Sequence, residues 1–489
     1  MVRLAYIADL TFVIYYSQNN ISQMNRNYCL PMLNAFLSIC LLSCKKDDKK
    51  LENTKPVVAL PEKISANRTL KSDTVYTFGV SVNVTDNAVL TIEPGTVIKS
   101  KSTADGTGRS GYIAIERGAK IMAEGTAEKP IVFTSGTPAG FQQHGDWGGL
   151  YIFGKAPVSA YDENTGGAAT EMTLTGLGAL LPAGGGTDPR DNSGVLKYVR
   201  IEFAGVGSAE SYGLACIGVG AGTTIENVQA SYTQTSGFGF FGGTVNAKNL
   251  VAFNNRVAGL VYSNGYTGMQ QFIVSYKHPY FAAPGAFIST CDALLVLNDI
   301  KGYPVAPDTR PVLSNVTAVG PYNNPGYNSA LPWNAALNVS YGGAFVLRNS
   351  ILMGMPKGGI KLSDDIAAQR LIDGTTEFST NLVHSNISTD AFTVDPGAVY
   401  SIDAAGVTDY AVNHHNKMYA KPEEINLTSP FNFSLPGLLP ATGAPALSGA
   451  DFSGEPFQGF FKKVTYVGAF GTENWMQSWT NFYPVSIKY

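Results

Sequence analysis

Glu226-Asn227-Val228, Lys248-Asn249-Leu250 and Gln270-Gln271-Phe272 open three stretches of chain that repeat one another. Asn227 to Asn249 is 22 residues, and Asn249 to Gln271 is again 22. Gly237-Phe238-Gly239-Phe240-Phe241 and Gly259-Leu260-Val261-Tyr262 keep the same 22-residue step from Gly237 to Gly259. Later units open at Ser314-Asn315-Val316, Arg348-Asn349-Ser350 and Thr380-Asn381-Leu382, where the spacing stretches to 34 and 32 residues, as loops inserted between rungs would produce. Upstream, Val89 to Ile92 turns at Glu93-Pro94-Gly95, and Tyr112 to Glu116 turns at Arg117-Gly118. Those two units are 23 residues apart, counting Ile92 to Ile115.

Short β-branched runs broken by Gly-containing turns read as strands. A period near 22 also suits leucine-rich repeats, but their regular LxxLxLxxN pattern is missing, and no run keeps helical periodicity for ten residues. A coil of three short parallel strands fits both period and composition. Stacked coils satisfy one another's backbone edges, and inward side chains line up as ladders, with Asn at a turn bonding backbone and the Asn of the next coil. The composition agrees: 15% charged residues, 53 Gly, and 25 each of Tyr and Phe in 489 residues. A formal charge of −3 with no long basic run offers no electrostatic footprint for nucleic acid.

The first 43 residues read as an address. Leu33 to Leu42 is an uncharged apolar run with Arg26 upstream, too short for a bilayer span, which takes roughly 20 residues, but the length of a signal-peptide core. It ends at Leu41-Leu42-Ser43-Cys44, which resembles a lipobox. The resemblance implies acylation of Cys44 and cleavage before it, anchoring the chain to a membrane. Residues 1–23 carry a second apolar stretch, Leu10 to Tyr16, and read as an over-extended start ahead of Met24, or as part of an unusually long signal. The run Lys45-Lys46-Asp47-Asp48-Lys49-Lys50 opens a charged tether expected over residues 44–73. A charged run directly after the lipidated cysteine resembles the signal some bacteria use for display on the outer membrane.

The stretch LTIEPGTVIKS (90–100), GYIAIERGAKIMAEGTAEKPIVFTS (111–135) and GDWGGLYIFGKAP (145–157) resembles the opening of a family of bacterial β-helix lipoproteins of the pectate-lyase-like superfold. Residues 443–453 and 464–484 resemble that family's close. The resemblance implies an all-β, right-handed, single-stranded parallel β-helix over residues 74–456. The aromatic segment 457–489, with Trp475 and Trp479, is expected to cap the last coil, and Trp147 to cover an early one.

Lyases of this superfold hold Ca²⁺ on clustered acids, and its hydrolases use neighbouring carboxylates as acid and base. Residues 227–272 contain no Asp or Glu. The candidate acids are Asp188/Asp191, Asp292/Asp299 and Asp364/Asp365; the first pair suits a turn with a cation as the lesser reading, and the last suits helix capping. His144-Gly145-Asp146 reads as structural, and His414-His415 lacks a third ligand. Cys216 and Cys291 read as isolated buried thiols, with pairing the alternative. No cofactor motif is present, and neither a catalytic nor a metal set is assigned. The segment Pro321 to Asn334 places Tyr322, Tyr327 and Trp333 among asparagines, and Tyr276 and Tyr280 sit in a similar insertion; aromatic faces with amide donors suit sugar rings. The expected function is a non-catalytic surface module for a polysaccharide or a surface protein, with a polysaccharide lyase or glycoside hydrolase as the alternative. Cys44→Ala should move the protein from the membrane to the soluble fraction and abolish acyl labelling; a variant still labelled and sedimenting with membranes would overturn the anchor.

Overall fold

The computed structural model describes residues 55–489 except 102–110, 163–164, 175–180, 207–210, 283–289, 299–304 and 396–401, so Cys44, its tether run and Asp299 lie outside the described residues. The described chain is a right-handed parallel β-helix with three faces. One coil shows the pattern. Tyr212–Ile217 lies on the first face, Thr224 to Glu226 on the second and Val228 to Ser231 on the third. Ser236–Phe241 then returns to the first face, parallel to Tyr212–Ile217.

Two inward columns of the first face carry the core. In register they run Val82, Ile113, Leu150, Leu214, Phe238, Leu260, Leu294, Leu337, Ile360, Phe392, and Val84, Ile115, Ile152, Cys216, Phe240, Tyr262, Val296, Val339, Leu362, Val394. Cys216 thus occupies a column position between Ile152 and Phe240; neither it nor Cys291 forms a disulfide, and both are buried. The repeated Gly237 and Gly259 sit where successive coils approach closely. A Cβ on Gly237 would lie 2.7 Å from the Gly259 carbonyl oxygen, and one on Gly259 would lie 2.6 Å from that of Ala293.

From Tyr198 onward the second face bends into the third at a single left-handed residue per coil: Tyr198, Asn227, Asn249, Phe272, Asn315, Asn349, Thr380 and His415, with φ between 50° and 62°. Asn tolerates this conformation because its short amide bonds locally. The register corrects two of the sequence alignments. Lys248 pairs with Gln271 and Leu250 with Ile273, so Phe272, not Gln271, is the counterpart of Asn249. Arg348 pairs with Ser379 and Ile351 with Leu382, so Thr380, not Asn381, answers Asn349. The first slip comes from one added residue ahead of Phe272; in the second the corner falls one residue before the motif's Asn, and in a strand a one-residue slip exchanges inward for outward side chains. Ile92 and Ile115 are not equivalent either. Ile92 pairs with Ala123 on the second face, and Ile115 with Val84 on the first. The expected polar ladder does form one residue beyond the corner: Asn381 Nδ2 donates to Asn416 Oδ1 at 2.8 Å, and Asn381 Oδ1 accepts from Ser350 N at 2.9 Å.

Two boundaries differ from those expected. The helix begins before Thr74: Val57–Ala59 pairs with Val75 to Thr77, and Arg68–Leu70 with Leu90 to Ile92, so the tether ends short of residue 57. The apolar pattern of that first coil is too short to stand out from a Pro-punctuated linker. The aromatic C-terminus is not a lid on the last coil. That end is covered by helix α2, Ala404–Asn413, whose Val407 and Ala411 are buried in the core; helix α1, Asp365–Ile372, lies one coil earlier. Residues after 419 instead run back along the flank as a strap. Trp475 and Trp479 pack there with Phe203, Phe253, Val319 and Ile351, outward side chains of middle coils.

Outward carboxamides clamp the strap peptide by peptide. Gln229 donates to the carbonyl of Asn481 and accepts from its N–H, both at 2.8 Å. Gln271 does the same to Lys462, and Asn349 to Asp451. Asn315 donates to the Tyr466 and Gly468 carbonyls at 3.0 and 3.1 Å.

Thr380 is β-branched at φ 59°, where such side chains are strained. Thr380→Asn should therefore stabilise the fold by about 1 kcal/mol. Asn315→Thr should destabilise it by about 2 kcal/mol, adding the loss of two strap bonds. Urea unfolding midpoints measure both, and a lowered midpoint for Thr380→Asn would refute the strain.

Candidate functional site

Where the third face turns back to the first, successive coils present Tyr232 and Gln234, then Asn254 and Arg256, then His278 and Phe281. Coils stack about 4.8 Å apart, so these side chains form one wall. Gln142, Gln143 and His144 enter from the segment ahead of Trp147, and the strap supplies Phe433, Ser434, Tyr483 and Val485. Together they enclose a cleft of about 590 Å³ whose lining holds no carboxylate.

The back of the cleft is rigid. Arg256 Nη1 donates to Gln234 Oε1 at 2.8 Å. Lys277, fully buried, donates from Nζ to the Asn255 and Val257 carbonyls at 2.8 Å, and the Cys291 thiol donates to the Arg256 carbonyl at 3.2 Å. Burial pushes the Lys277 ammonium down to about 8, with Cys291 and Asp292 opposing the shift. His144 contacts the Tyr232 and Phe281 rings at 5.3 and 5.0 Å, and His278 contacts Phe433 at 4.0 Å. Burial, helped by the Arg256 charge, lowers His144 to about 4; burial, helped by His144, lowers His278 to about 3. Both rings are neutral near pH 7 and poor proton acceptors. His144 Nε2, Arg256 Nε and the Asn254 amide are buried together in this lining, where Asn254 is the polar neighbour of both the His144 ring and the Tyr232 hydroxyl. Such groups are expensive to leave unpaired.

The residues expected to meet a ligand are divided by the structure. Trp333 is 2% exposed, donates from Nε1 to the Asn328 carbonyl at 3.0 Å and packs with Ala282, Cys291 and Leu331. Tyr276 is 1% exposed, between Phe253 and Phe433. Neither can stack on a ligand: the long loop folds Trp333 inward, and Tyr276 ends a strand beneath Phe433 of the strap. Tyr280 and Tyr322 remain exposed, and Tyr322 lies 5.0 Å from half-buried Tyr327. Trp147 is wholly buried and donates to the Glu202 carbonyl at 2.8 Å. Its neighbour Asp146 accepts from Ser135 Oγ and Gln143 N and leaves His144 to the cleft.

The acids are occupied elsewhere. Asp292 accepts from Thr290, Asn334, Asn338 and the Ala335 N–H, and burial raises its carboxyl above the ordinary range. Asp364 caps α1 at Ala367 N, and Asp188 and Asp191 close a turn through Arg190 N and Ser193 Oγ. His414 stacks on Tyr410, and His415 is a corner residue. Among the described residues no three His, Cys, Asp or Glu side chains gather as a metal set.

With this geometry in hand, the chain matches the family model of the pectate-lyase-like β-helix domain over residues 62–419. It belongs to that family. Among solved structures, the crystal structure of pectate lyase Pel9A aligns with this β-helix domain at 12% identity and a TM-score of 0.40, covering 79% of this chain and 88% of that one. The crystal structure of the Dettilon tailspike protein (gp208) aligns at 11% identity and a TM-score of 0.22, covering 66% and 61%. At that distance the likeness gives no residue of the β-helix domain a role. No curated protein matches the chain.

The unfolded chain takes up a proton on His144 near pH 6.5, and the native state only near 4. Between those values the unfolded state binds more protons, so stability falls as the pH drops through that window, by roughly 3 kcal/mol for His144 alone. His144→Gln should remove that part of the acid sensitivity, read as unfolding midpoints of both proteins at pH 7 and pH 4.5. Parallel losses in the two proteins would show that His144 titrates normally.

Proposed function

We propose that this β-helix domain is the exported body of a lipid-anchored outer-membrane lipoprotein and binds a glycan, without turning it over, in the cleft around Arg256. The observation that carries the reading is the coincidence, in one acid-free cleft, of the buried polar groups of His144, Asn254 and Arg256 with the exposed rings of Phe281 and Tyr483. Sugars present hydroxyls to such donors and C–H faces to such rings. Neutral histidines and amides around one fixed guanidinium favour hydroxyl-rich ligands over cations. Stacking contributes about 1 kcal/mol per ring, which places dissociation constants in the micromolar range or weaker. Anchorage through Cys44 would hold the cleft at the cell surface.

The second reading is a polysaccharide lyase or hydrolase, favoured by membership of the pectate-lyase-like family. Its chemistry would require ionisable groups facing a substrate. Asp292 spends its carboxylate on four hydrogen bonds, and the two cleft histidines are too weakly basic for the task. A glycan array with the purified protein, repeated with Arg256→Ala and Phe281→Ala, should show binding that each change weakens tenfold or more, on the order of 1.4 kcal/mol. Tyr322→Ala, outside the cleft, should leave binding unchanged. Assays for unsaturated products and reducing ends on the bound glycans should stay silent. Binding indifferent to Arg256 and Phe281, or turnover lost on changing one of the aspartates, would overturn the proposal.

A further inference from the structure

The cleft is built from two parts of the chain far apart in sequence. Its floor comes from the coils, whereas Tyr483 and Val485 come from the last stretch of the strap. That stretch has little secondary structure of its own, a single 3-10 turn at Pro484–Ser486, so its position depends on what holds it at either end. At one end, Gln229 clamps the Asn481 peptide and the Tyr232 hydroxyl donates to the Phe482 carbonyl at 3.2 Å. In the middle, Gly140 N donates to the Val485 carbonyl at 2.8 Å, tying the strap to the segment that carries His144. At the other end Tyr489 enters a socket built in the coils. Its hydroxyl accepts from Arg200 Nη2 at 2.9 Å and donates to the carboxylate of Glu202, whose oxygens lie 2.8 and 3.0 Å away. The Arg200 guanidinium lies over the Tyr489 ring at 5.7 Å, and Lys99 Nζ donates to the Tyr489 main-chain oxygen at 2.6 Å.

Glu202 gives the socket its energetic weight. It is wholly buried, 3.4 Å from Arg200 Nε, and burial raises its carboxyl above the ordinary range. Without the Tyr489 hydroxyl it would lose its closest donor, and a buried carboxylate left short of donors is costly. The Glu202 main chain is meanwhile fixed by the Trp147 indole, so the carboxylate cannot turn away to solvent without disturbing the core.

We propose that Tyr489 is a positioning residue for the cleft: by latching into the Arg200–Glu202 socket it sets the wall formed by Tyr483 and Val485, and through Gly140 the placement of His144. The inference rests on the cleft being the binding site for its functional meaning, but its structural half stands alone. It also explains why a chain with so few charges buries an arginine–glutamate pair on the flank of a coil: the pair orients one phenol.

The chain has five histidines, so ¹³C-histidine labelling gives a short spectrum in which His144 and His278 report on the cleft without any ligand. Tyr489→Ala should shift both resonances and release the amide of Asn481 to hydrogen exchange, while the melting temperature of the coils changes little. Tyr489→Phe keeps the ring and removes the hydroxyl, and should fall between the two. Arg348→Ala, which loosens the strap at Asp451 and Ser453, should leave both cleft resonances in place. For any array glycan that binds the wild type, Tyr489→Ala should weaken affinity about tenfold. Unshifted His144 and His278 resonances with a protected Asn481 amide in Tyr489→Ala would overturn the latch. Shifted resonances in a protein that binds no glycan would uphold the latch and sink the glycan reading instead.

Discussion

A strand inside a parallel stack has only two places to put its N–H and C=O groups: the coil before it and the coil after it. Everything regular in this molecule follows from that constraint. Register passes unchanged from Val82 to Phe392 because slipping one coil would leave backbone groups unpaired on both sides. Length variation is confined to the turns, which is why insertions such as 321–334 sit between strands and never within them. From Tyr198 onward the left-handed corner recurs once per coil, whereas the coil before it spends six residues, 125–130, on the same corner and still keeps both faces in register.

The outward faces pose a second problem, since each carries side chains that no neighbouring coil covers. Where the third face turns outward, Phe253, Tyr276, Val319 and Ile351 would form an apolar strip along the axis, and the strap lies over it. Its backbone needs partners, and no strand edge is free on the flank to provide them. Carboxamides fill the gap: Gln229, Gln271 and Asn349 each offer one donor and one acceptor in the geometry of a peptide, so a side chain stands in for a strand. The asparagines and glutamines of the repeat thus have two uses, as inward ladders near Asn381 and as outward clamps elsewhere. Composition alone cannot separate these uses, because both demand a short neutral amide at a coil corner.

The repeat was legible because equal coils impose equal spacing, and Gly237 and Gly259 mark the same close approach twice. It misled wherever a turn gained a residue, as before Phe272, because counting from a motif cannot show on which side of it the addition lies. The aromatic loop misled for another reason. Tyr322, Tyr327 and Trp333 look alike in sequence, yet Trp333 is the anchor that folds the loop down and Tyr322 the ring left outside. The cleft was not legible at all. His144, Arg256, Phe433 and Tyr483 share no motif, and only the return of the strap along the coils brings them together. One signal was present but unread: the acid-free stretch 227–272 retains Arg256, a cation with no carboxylate nearby in sequence to explain it.

That arginine also shows why such a cleft can be selective while binding weakly. A guanidinium on a loose side chain loses rotamer freedom when it meets a ligand, and the loss offsets much of the contact. Arg256 avoids part of it, because Gln234 holds its head and Lys277 and Cys291 hold the peptides on either side of its Cα. The two histidines, kept neutral by burial and, for His144, by that same charge, add hydrogen-bonding capacity without a counter-charge. On the proposed glycan-binding reading, weak single contacts would be no obstacle for a module displayed in many copies against a repeating polymer, because each further engagement would be intramolecular and draw on a high effective concentration.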